Sequence, residues 1–201
     1  MIYKLIFKRI FDIIFSISVM CILLPLYILI SLLVILNSGL PIFYIWKVVG
    51  KDGVYFKSYK FRTMIKNADN MKDELLGSNE MEGPFFKMKD DPRITNIGKI
   101  LRKYNLDELP QFFSVLKGDM SVVGPRPPLV SEWKNFSEFQ KKKLQIKPGI
   151  TCLWQVDGRN SISNPDSWIE KDLEYIDKVS FGLDINIIFK TIIRTFEGTG
   201  R

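Results

Sequence analysis

Two adjacent carboxylates, Asp107 and Glu108, are the residues of this chain best suited to chemistry. The sequence contains no histidine, which excludes catalytic sites and metal sites built on imidazole groups. Asn105 and Glu108 have the spacing of a capping box, which predicts a helix from about Asp107 to Lys117. Because free N–H groups at a helix start favour both carboxylates and bound phosphate, Asp107 could act as a nucleophile at a phosphate site.

The same two acids are also typical of an ordinary helix cap. Basic residues elsewhere in the chain favour a chemical role over a cap. The guanidinium group of an arginine binds phosphate oxygens bidentately, so several basic residues beside a membrane segment together predict a substrate that contains a pyrophosphate. The net charge of +7 agrees with an anionic partner, whether nucleic acid, acidic membrane or phosphorylated substrate. The basic residues in question are Lys60, Arg62, Arg102, Arg126 and Arg159.

An uncharged N-terminal segment relates this chemistry to a membrane. No charged side chain occurs from Ile13 to Trp46, and residues 13–36 would rise about 36 Å as a straight helix, which exceeds a bilayer core of about 30 Å. The segment is too long for a secretory signal peptide, and a single transmembrane anchor is the simple interpretation. However, Pro25 interrupts the run, and basic residues flank both ends. We therefore predict a re-entrant helical hairpin broken at Pro25.

Beyond the apolar segment, the sequence predicts an α+β fold with a mostly helical cytoplasmic domain. Residues 42–49 and 54–61 predict a β-hairpin. Residues 181–196 predict an amphipathic helix, which either faces the core or lies in the membrane interface. The predicted division is a membrane helix over residues 1–40 and a catalytic domain over residues 41–201. Further helices are predicted over 66–76, 92–103 and 166–178, one or two helices over 129–144, a short strand over 121–123, and strand or extended chain over 149–156.

The order of motifs resembles that of the monotopic phosphoglycosyl transferases, the bacterial sugar transferase family that initiates polysaccharide and glycoprotein glycan assembly. The resemblance covers nearly the whole chain. The chain departs from the family pattern at Leu24, Trp46-Lys47 and Cys152, which bears on hairpin geometry and sugar preference. The similar segments are KFRTM at 60–64, DPRIT at 91–95, LDELP at 106–110, GDMSVVGPRP at 118–127, PGITCLWQVDGRN at 148–160, and Asp172, Tyr175 and Asp184.

The resemblance implies transfer of a sugar-1-phosphate from a UDP-sugar to polyprenyl (undecaprenyl) phosphate with release of UMP. Such a reaction initiates capsule, exopolysaccharide or glycoprotein glycan assembly. Asp107 would form a covalent phosphosugar intermediate, Glu108 would assist through Mg²⁺ or proton transfer, and both would be metal ligands. Arg102 and Arg126 would hold phosphates. The substrate-binding residues on this basis are Lys60, Arg62, Arg102, Arg126, Arg159, Asp172 and Asp184, the last three shaping the nucleotide or metal site.

The expected partners are a UDP-sugar, polyprenyl phosphate and membrane lipid, without nucleic acid, and a homodimer is left open. The expected location is the bacterial cytoplasmic membrane, with the catalytic domain facing the cytoplasm. The chain would correspond to the catalytic unit of the larger family members. Two alternatives stay open: a membrane-anchored, metal-dependent phosphodiesterase acting on nucleotide sugars, and a basic module that binds nucleic acid or anionic lipid. The ordered motifs argue against the second.

Overall fold

The computed structural model describes residues 6–71, 74–75, 77, 79, 88, 90–157, 165–198 and 200, in which helices outnumber strands. The predicted mixture of helix and strand is therefore confirmed. The helices are α1 (Lys8–Ile22), α2 (Leu24–Ser38), α3 (Asn96–Lys103), α4 (Phe112–Lys117), α5 (Val130–Lys134), α6 (Glu138–Lys141), α7 (Leu153–Val156), α8 (Pro165–Lys178) and α9 (Phe181–Glu197). The strands are β1 (Phe43–Val49), β2 (Tyr55–Phe61), β3 (Ser121–Val123) and β4 (Gly149–Thr151).

Helices α1 and α2 form a pair that is bent by 63° around Leu23. Pro25 lies in the first turn of α2, where a proline costs no helix hydrogen bond because the first N–H groups have no partner within the helix. The prediction of a helix broken next to Pro25 is confirmed. Within the described part of the chain, no single helix has the length and apolarity to cross a membrane, whereas the bent pair has them when taken together.

Buried polar contacts attach α1 to the rest of the molecule. Lys8 Nζ lies 2.6 Å from Asp184 Oδ2 of α9, and both residues are buried. The Asp12 carboxylate accepts hydrogen bonds from the Ser121 hydroxyl (3.0 Å) and from the Val122 N–H (2.9 Å) at β3. These contacts fix the apolar helix pair against the strand and helix that carry the core.

Two hydrophobic clusters hold the elements together. The first joins α4, β3, α7, α8 and α9, and Phe11, Phe15 and Val19 of α1 pack against it. The second lies under α2, where Tyr27, Ile30 and Val34 pack against Phe61 of β2 and Leu101 of α3. The helix pair thus shares its packing with the elements that follow it, and the predicted domain boundary at residue 40 stays a prediction.

Both strand pairs help to position the site. The predicted β-hairpin is confirmed, since β1 and β2 pair antiparallel from Phe43 opposite Phe61 to Val49 opposite Tyr55. Strands β3 and β4 pair in parallel. Gly149 is required in this pair, because a Cβ atom there would lie 2.1 Å from the backbone nitrogen of Gly124. This close approach brings the loop that follows β3 onto β4.

Three predicted elements differ from those observed. Residues 66–71 form turns and not the start of a helix over 66–76, because Asn67 has a left-handed conformation with φ 66°. The strand or extended chain predicted over 149–156 is a strand only to Thr151 and is followed by α7. The predicted helix over 107–117 begins as the 3-10 turn Leu106–Gln111, which holds Pro110, and becomes α-helical at Phe112.

Helix α9 confirms the predicted amphipathic pattern. Ile187 and Ile188 are buried in the core, whereas Phe189 is 63% exposed and Phe196 is 82% exposed. Leu36 of α2 is similarly exposed, at 83%. Large exposed apolar surfaces mark sites that contact protein or membrane.

Candidate active site

Asp107 and Glu108 lie in the 3-10 turn Leu106–Gln111 that precedes α4. Asn105 adopts a left-handed conformation with φ 51°, and its side chain makes no capping hydrogen bond, so the predicted capping box is wrong. Glu108 is engaged elsewhere, because its Oε1 atom lies 2.5 Å from Lys60 Nζ. An ion pair to a distant strand has therefore replaced the local contact that the sequence spacing suggested.

The 3-10 turn is fastened on the side of the apolar helix pair. The Tyr27 hydroxyl of α2 donates a hydrogen bond of 2.6 Å to the Leu109 carbonyl oxygen, one residue after the acidic pair. Arg9 of α1 donates to the carbonyl oxygens of Val115 (2.6 Å) and Leu116 (2.9 Å), in α4 directly after the turn. The position of the two carboxylates is thus coupled to the position of the helix pair.

A cavity of about 550 Å³ opens beside the carboxylates and is lined by residues from distant parts of the sequence. Its volume is within the range of small-molecule sites. Strand β2, helix α3, the 3-10 turn and the loop after β3 all contribute. Of the residues singled out in the sequence, it brings together Lys60, Arg62, Arg102, Asp107, Glu108 and Arg126.

Asp107 is 6% exposed, and its surroundings perturb its ionisation. Burial raises the pKa of Asp107 above its ordinary value, and the nearby Glu108 carboxylate adds to the rise, while Lys60 and Arg102 act in the opposite direction. A buried carboxylate with a perturbed pKa in a cavity is a mark of functional sites. A bound cation would relieve the cost of keeping this group charged.

Arg126 is held by two acids that the sequence does not place near it. The Glu132 carboxylate, 2% exposed, accepts a hydrogen bond of 2.8 Å from the Leu129 N–H and lies 3.4 Å from Arg126 Nη1. Burial works to lower the pKa of Arg126, but Glu132 and Glu108 raise it above its ordinary value, so the side chain stays cationic. The backbone N–H of Arg126 interacts with the buried Asp172 carboxylate. Sequence reasoning missed Glu132, because Leu129 has no side-chain acceptor and the segment therefore lacks the capping-box sequence that would have marked it.

Arg102 reaches the cavity from α3. Its Nε atom donates a hydrogen bond of 2.9 Å to the Thr63 hydroxyl. Burial lowers the pKa of Arg102, while the Asp107 and Asp91 carboxylates act to raise it. Arg93 forms a buried ion pair of 2.6 Å with Asp91 and donates to the Ala68 carbonyl oxygen. The DPRIT motif therefore supports the segment after β2 that lines the cavity.

Three of the predicted residues make contacts that the sequence did not suggest. Arg62 lines the cavity, yet its Nη2 atom donates to the carbonyl oxygens of Ser38 (2.6 Å) and Gly39, which closes the C-terminus of α2. Asp172 and Asp184 do not line the cavity. Asp172 lies 2.6 Å from Lys143 Nζ, and Asp184 pairs with Lys8. Their predicted part in a nucleotide or metal site stays a prediction, and Arg159 lies outside the described residues.

Two aromatic residues that sequence reasoning did not assign to the site also line the cavity. Tyr44 and Trp46 lie on one face of β1, with ring centroids 5.9 Å apart and ring planes 14° apart. Lys60 Nζ lies 5.0 Å from the centre of the Trp46 ring, within reach of a cation–π contact. Their spacing of two residues within a predicted strand is the signal that could have identified them.

The acidic pair is a suitable donor set for Mg²⁺. The described residues contain no cluster of three or more Asp, Glu, Cys or His side chains. Magnesium does not need such a cluster, because it is bound by one or two carboxylates together with water and substrate phosphates. Asp107 lies beside Glu108 on the cavity wall, and burial is the main cause of its raised pKa, so a bound cation would offset the cost of keeping the carboxylate charged. The two carboxylates therefore fit this ion.

Comparison with known proteins gives consistent matches. The profile of the family described as bacterial sugar transferase matches residues 3–198. The galactosyl transferase CpsE of Streptococcus agalactiae is 48% identical over 164 residues, covering 82% of this chain and 36% of that protein. The exopolysaccharide production protein ExoY of Sinorhizobium fredii is 40% identical over 189 residues, covering 92% of this chain and 83% of ExoY. The undecaprenyl-phosphate galactose phosphotransferase of Salmonella typhimurium is 43% identical over 189 residues, covering 92% of this chain and 39% of that protein. The chain thus spans well under half the length of two of these relatives.

Proposed function

The chain belongs to the bacterial sugar transferase family, and we propose that it transfers a sugar-1-phosphate from a UDP-sugar to polyprenyl phosphate, with release of UMP. The relative from Salmonella is named for undecaprenyl phosphate and galactose, and a relative from Erwinia amylovora is named a UDP-galactose-lipid carrier transferase. The observation that carries the proposal is the cavity itself, where the buried Asp107 carboxylate meets Arg102 and Arg126 on a turn that Tyr27 of the apolar helix pair contacts.

We infer a reaction in two steps. The Asp107 carboxylate attacks the β-phosphorus of the UDP-sugar, the bond from that phosphorus to the bridging oxygen breaks, and UMP leaves with the electron pair. A phosphate oxygen of the acceptor then attacks the same phosphorus, a new pyrophosphate bond forms, and Asp107 is released as a carboxylate. Arg102 and Arg126 stabilise the negative charge that builds on the phosphate oxygens in both steps.

Glu108 has a supporting part in this proposal. Its ion pair with Lys60 places one ammonium and one carboxylate at the edge of the cavity. Asp107 and Glu108 would hold Mg²⁺, which neutralises charge on the donor pyrophosphate when it is bound. Lys60 orients the Glu108 carboxylate and contributes positive charge near the phosphates.

The test is a UMP-release assay over a panel of UDP-sugars, with and without polyprenyl phosphate and Mg²⁺. We expect turnover to depend on the acceptor, with at most one equivalent of UMP per protein in its absence. The competing hypothesis, a phosphodiesterase acting on nucleotide sugars, predicts continuous release of free sugar phosphate without any acceptor. That outcome would exclude the transferase.

We also propose that the bent helix pair is re-entrant, which keeps the whole catalytic part on the cytoplasmic side of the membrane. Basic residues on both flanks support this topology. The test uses the variant Tyr3→Cys in a chain with Cys21→Ala, treated in intact cells with a membrane-impermeant thiol reagent. We expect protection until the cells are permeabilised, as for the control Val54→Cys, whose site is 66% exposed in the catalytic part. Labelling of Tyr3→Cys alone in intact cells would establish a single transmembrane span instead.

A further inference from the structure

A second cavity, of about 500 Å³, lies between the apolar helix pair and α9. Its walls come from the bend between α1 and α2, from the 3-10 turn and from α9. Charged groups on the wall are few, namely Glu108 and Arg194. Representative apolar residues on its wall are Phe15, Val19, Leu26, Leu109, Ile188 and Ile192. This cavity is suited to an apolar chain and not to a nucleotide.

The second cavity meets the first one at the acidic pair. Glu108, Ile150 and Gln155 line both cavities. Glu108 stands at this junction with its carboxylate paired to Lys60 on the polar side. An apolar chain in the second cavity would therefore end where the phosphate groups of the first cavity are bound.

The opposite end of the second cavity opens on exposed apolar surface. Ile22 at the bend of the helix pair is 74% exposed, Ile192 is 49% exposed and Phe196 is 82% exposed, and all three line the cavity. The cavity thus runs from the surface that the helix pair and α9 share to the carboxylate junction. A ligand with an apolar tail and a phosphate head matches both ends.

Three polar side chains on the wall are engaged within the protein. Thr151 and Thr191 bond to one another through their hydroxyls at 2.6 Å, and the Thr191 hydroxyl also donates to the Ile187 carbonyl oxygen at 2.7 Å. Arg194 pairs with Glu197 at 2.9 Å. Because these polar groups have partners within the protein, the middle of the cavity favours hydrocarbon.

We propose that the second cavity binds the isoprene units next to the phosphate of the polyprenyl acceptor, and that the rest of its chain passes between Ile22 and Phe196 into the bilayer. The inference rests on the proposed transferase function. Binding in this cavity directs the acceptor phosphate toward Asp107 past Glu108. Binding of the acceptor there also explains why the 3-10 turn with Asp107 and Glu108 packs on the bend of the apolar helix pair and not on the outer surface of the domain.

The first test fills the cavity away from the polar site. Thr195→Trp places a large ring on the cavity wall, whereas Ile193→Trp, at a position of α9 that does not line the cavity, is the matched control. We expect Thr195→Trp to raise the KM for polyprenyl phosphate about tenfold, equivalent to about 1.4 kcal/mol of lost binding. Covalent labelling from the UDP-sugar without acceptor should match that of the control, because the first step does not use this cavity.

An equal KM for the two variants, with labelling intact, would overturn the acceptor assignment and leave the transferase function standing. Absence of acceptor-dependent turnover in the unmodified protein would instead remove the proposed function. The two failures are therefore distinguishable.

A second test uses the unmodified protein and stays decisive if Thr195→Trp does not fold. A polyprenyl phosphate with a photoreactive diazirine in its second isoprene unit is cross-linked to the protein in vesicles. We expect adducts within residues 15–26 and 188–196, reduced by excess polyprenyl phosphate but not by phosphatidylglycerol. Adducts confined to the outer face of α2, at positions such as Leu29 or Leu32, would overturn the proposal. Equal competition by phosphatidylglycerol would also overturn it, since the occupant would then be an acyl chain of the bilayer.

Discussion

Asp107→Asn is expected to abolish transfer and to prevent trapping of radiolabelled phosphosugar on the protein. The amide nitrogen and oxygen of Asn cannot form the acyl-phosphate that an Asp carboxylate forms, so the reaction loses its first step. Removal of a catalytic nucleophile lowers kcat on the order of 10⁴- to 10⁶-fold. The measurement is single-turnover UMP release together with retention of label after denaturing gel electrophoresis.

The matched control is Asp52→Asn, the same change at an exposed residue of the β-hairpin turn, where Asn tolerates the left-handed conformation with φ 55°. Unchanged labelling of Asp107→Asn would assign the nucleophile to another residue.

A thermal unfolding experiment in EDTA separates lost chemistry from lost folding. Burial raises the pKa of Asp107 in the folded protein above its value in the unfolded chain, so the protonated carboxyl group stabilises the folded state at low pH. This stabilisation is lost as the pH rises through the pKa of the folded state. The Asn side chain of Asp107→Asn does not ionise, so the variant does not lose stability in this way. The difference between its Tm and that of the unmodified protein should therefore increase as the pH rises above about 4. A Tm of Asp107→Asn that falls relative to the unmodified protein over this range would show that the inactive variant is also poorly folded.

Lys8→Met is expected to destabilise the folded protein by about 3–5 kcal/mol, because it leaves the Asp184 carboxylate buried without its counterion. Lys8 and Asp184 are 176 residues apart in sequence and 2.6 Å apart in the structure, and Asp184 is fully buried. The Tyr175 hydroxyl, 2.6 Å from Asp184, cannot replace the missing positive charge. The measurement is the free energy of unfolding in detergent micelles, together with transferase activity in vesicles.

The control for this variant is Lys178→Met, which removes an exposed ion pair with Glu174 and should cost less than about 1 kcal/mol. The double variant Lys8→Met with Asp184→Leu removes both charges, and we expect it to regain most of the stability lost by Lys8→Met alone. If Lys8→Met is no less stable than Lys178→Met, the Lys8–Asp184 pair does not hold the helix pair in place.

Local sequence patterns predicted most of the elements because their causes are local. Pro25 interrupts the apolar helix because a proline cannot continue a helix but is well suited to the first turn of a new one, and the two apolar runs around a glycine-bounded turn pair as β1 and β2. The amphipathic spacing of α9 follows from the helical period alone. The wrong predictions also concern local structure. The predicted capping box at Asn105 and the predicted helix over 66–76 each contain a residue with positive φ.

The sequence by itself determined which residue types could do chemistry, that the apolar segment is interrupted, and that the chain resembles a known family. Tertiary structure alone decided how the charged residues are used. In the folded chain Glu108 pairs with Lys60, and Arg62 donates hydrogen bonds at the C-terminus of α2. Asp184 lies away from the cavity and pairs with Lys8. The physical reason is that backbone periodicity depends on near neighbours, whereas the partner of a charge depends on burial and on distances across the folded chain.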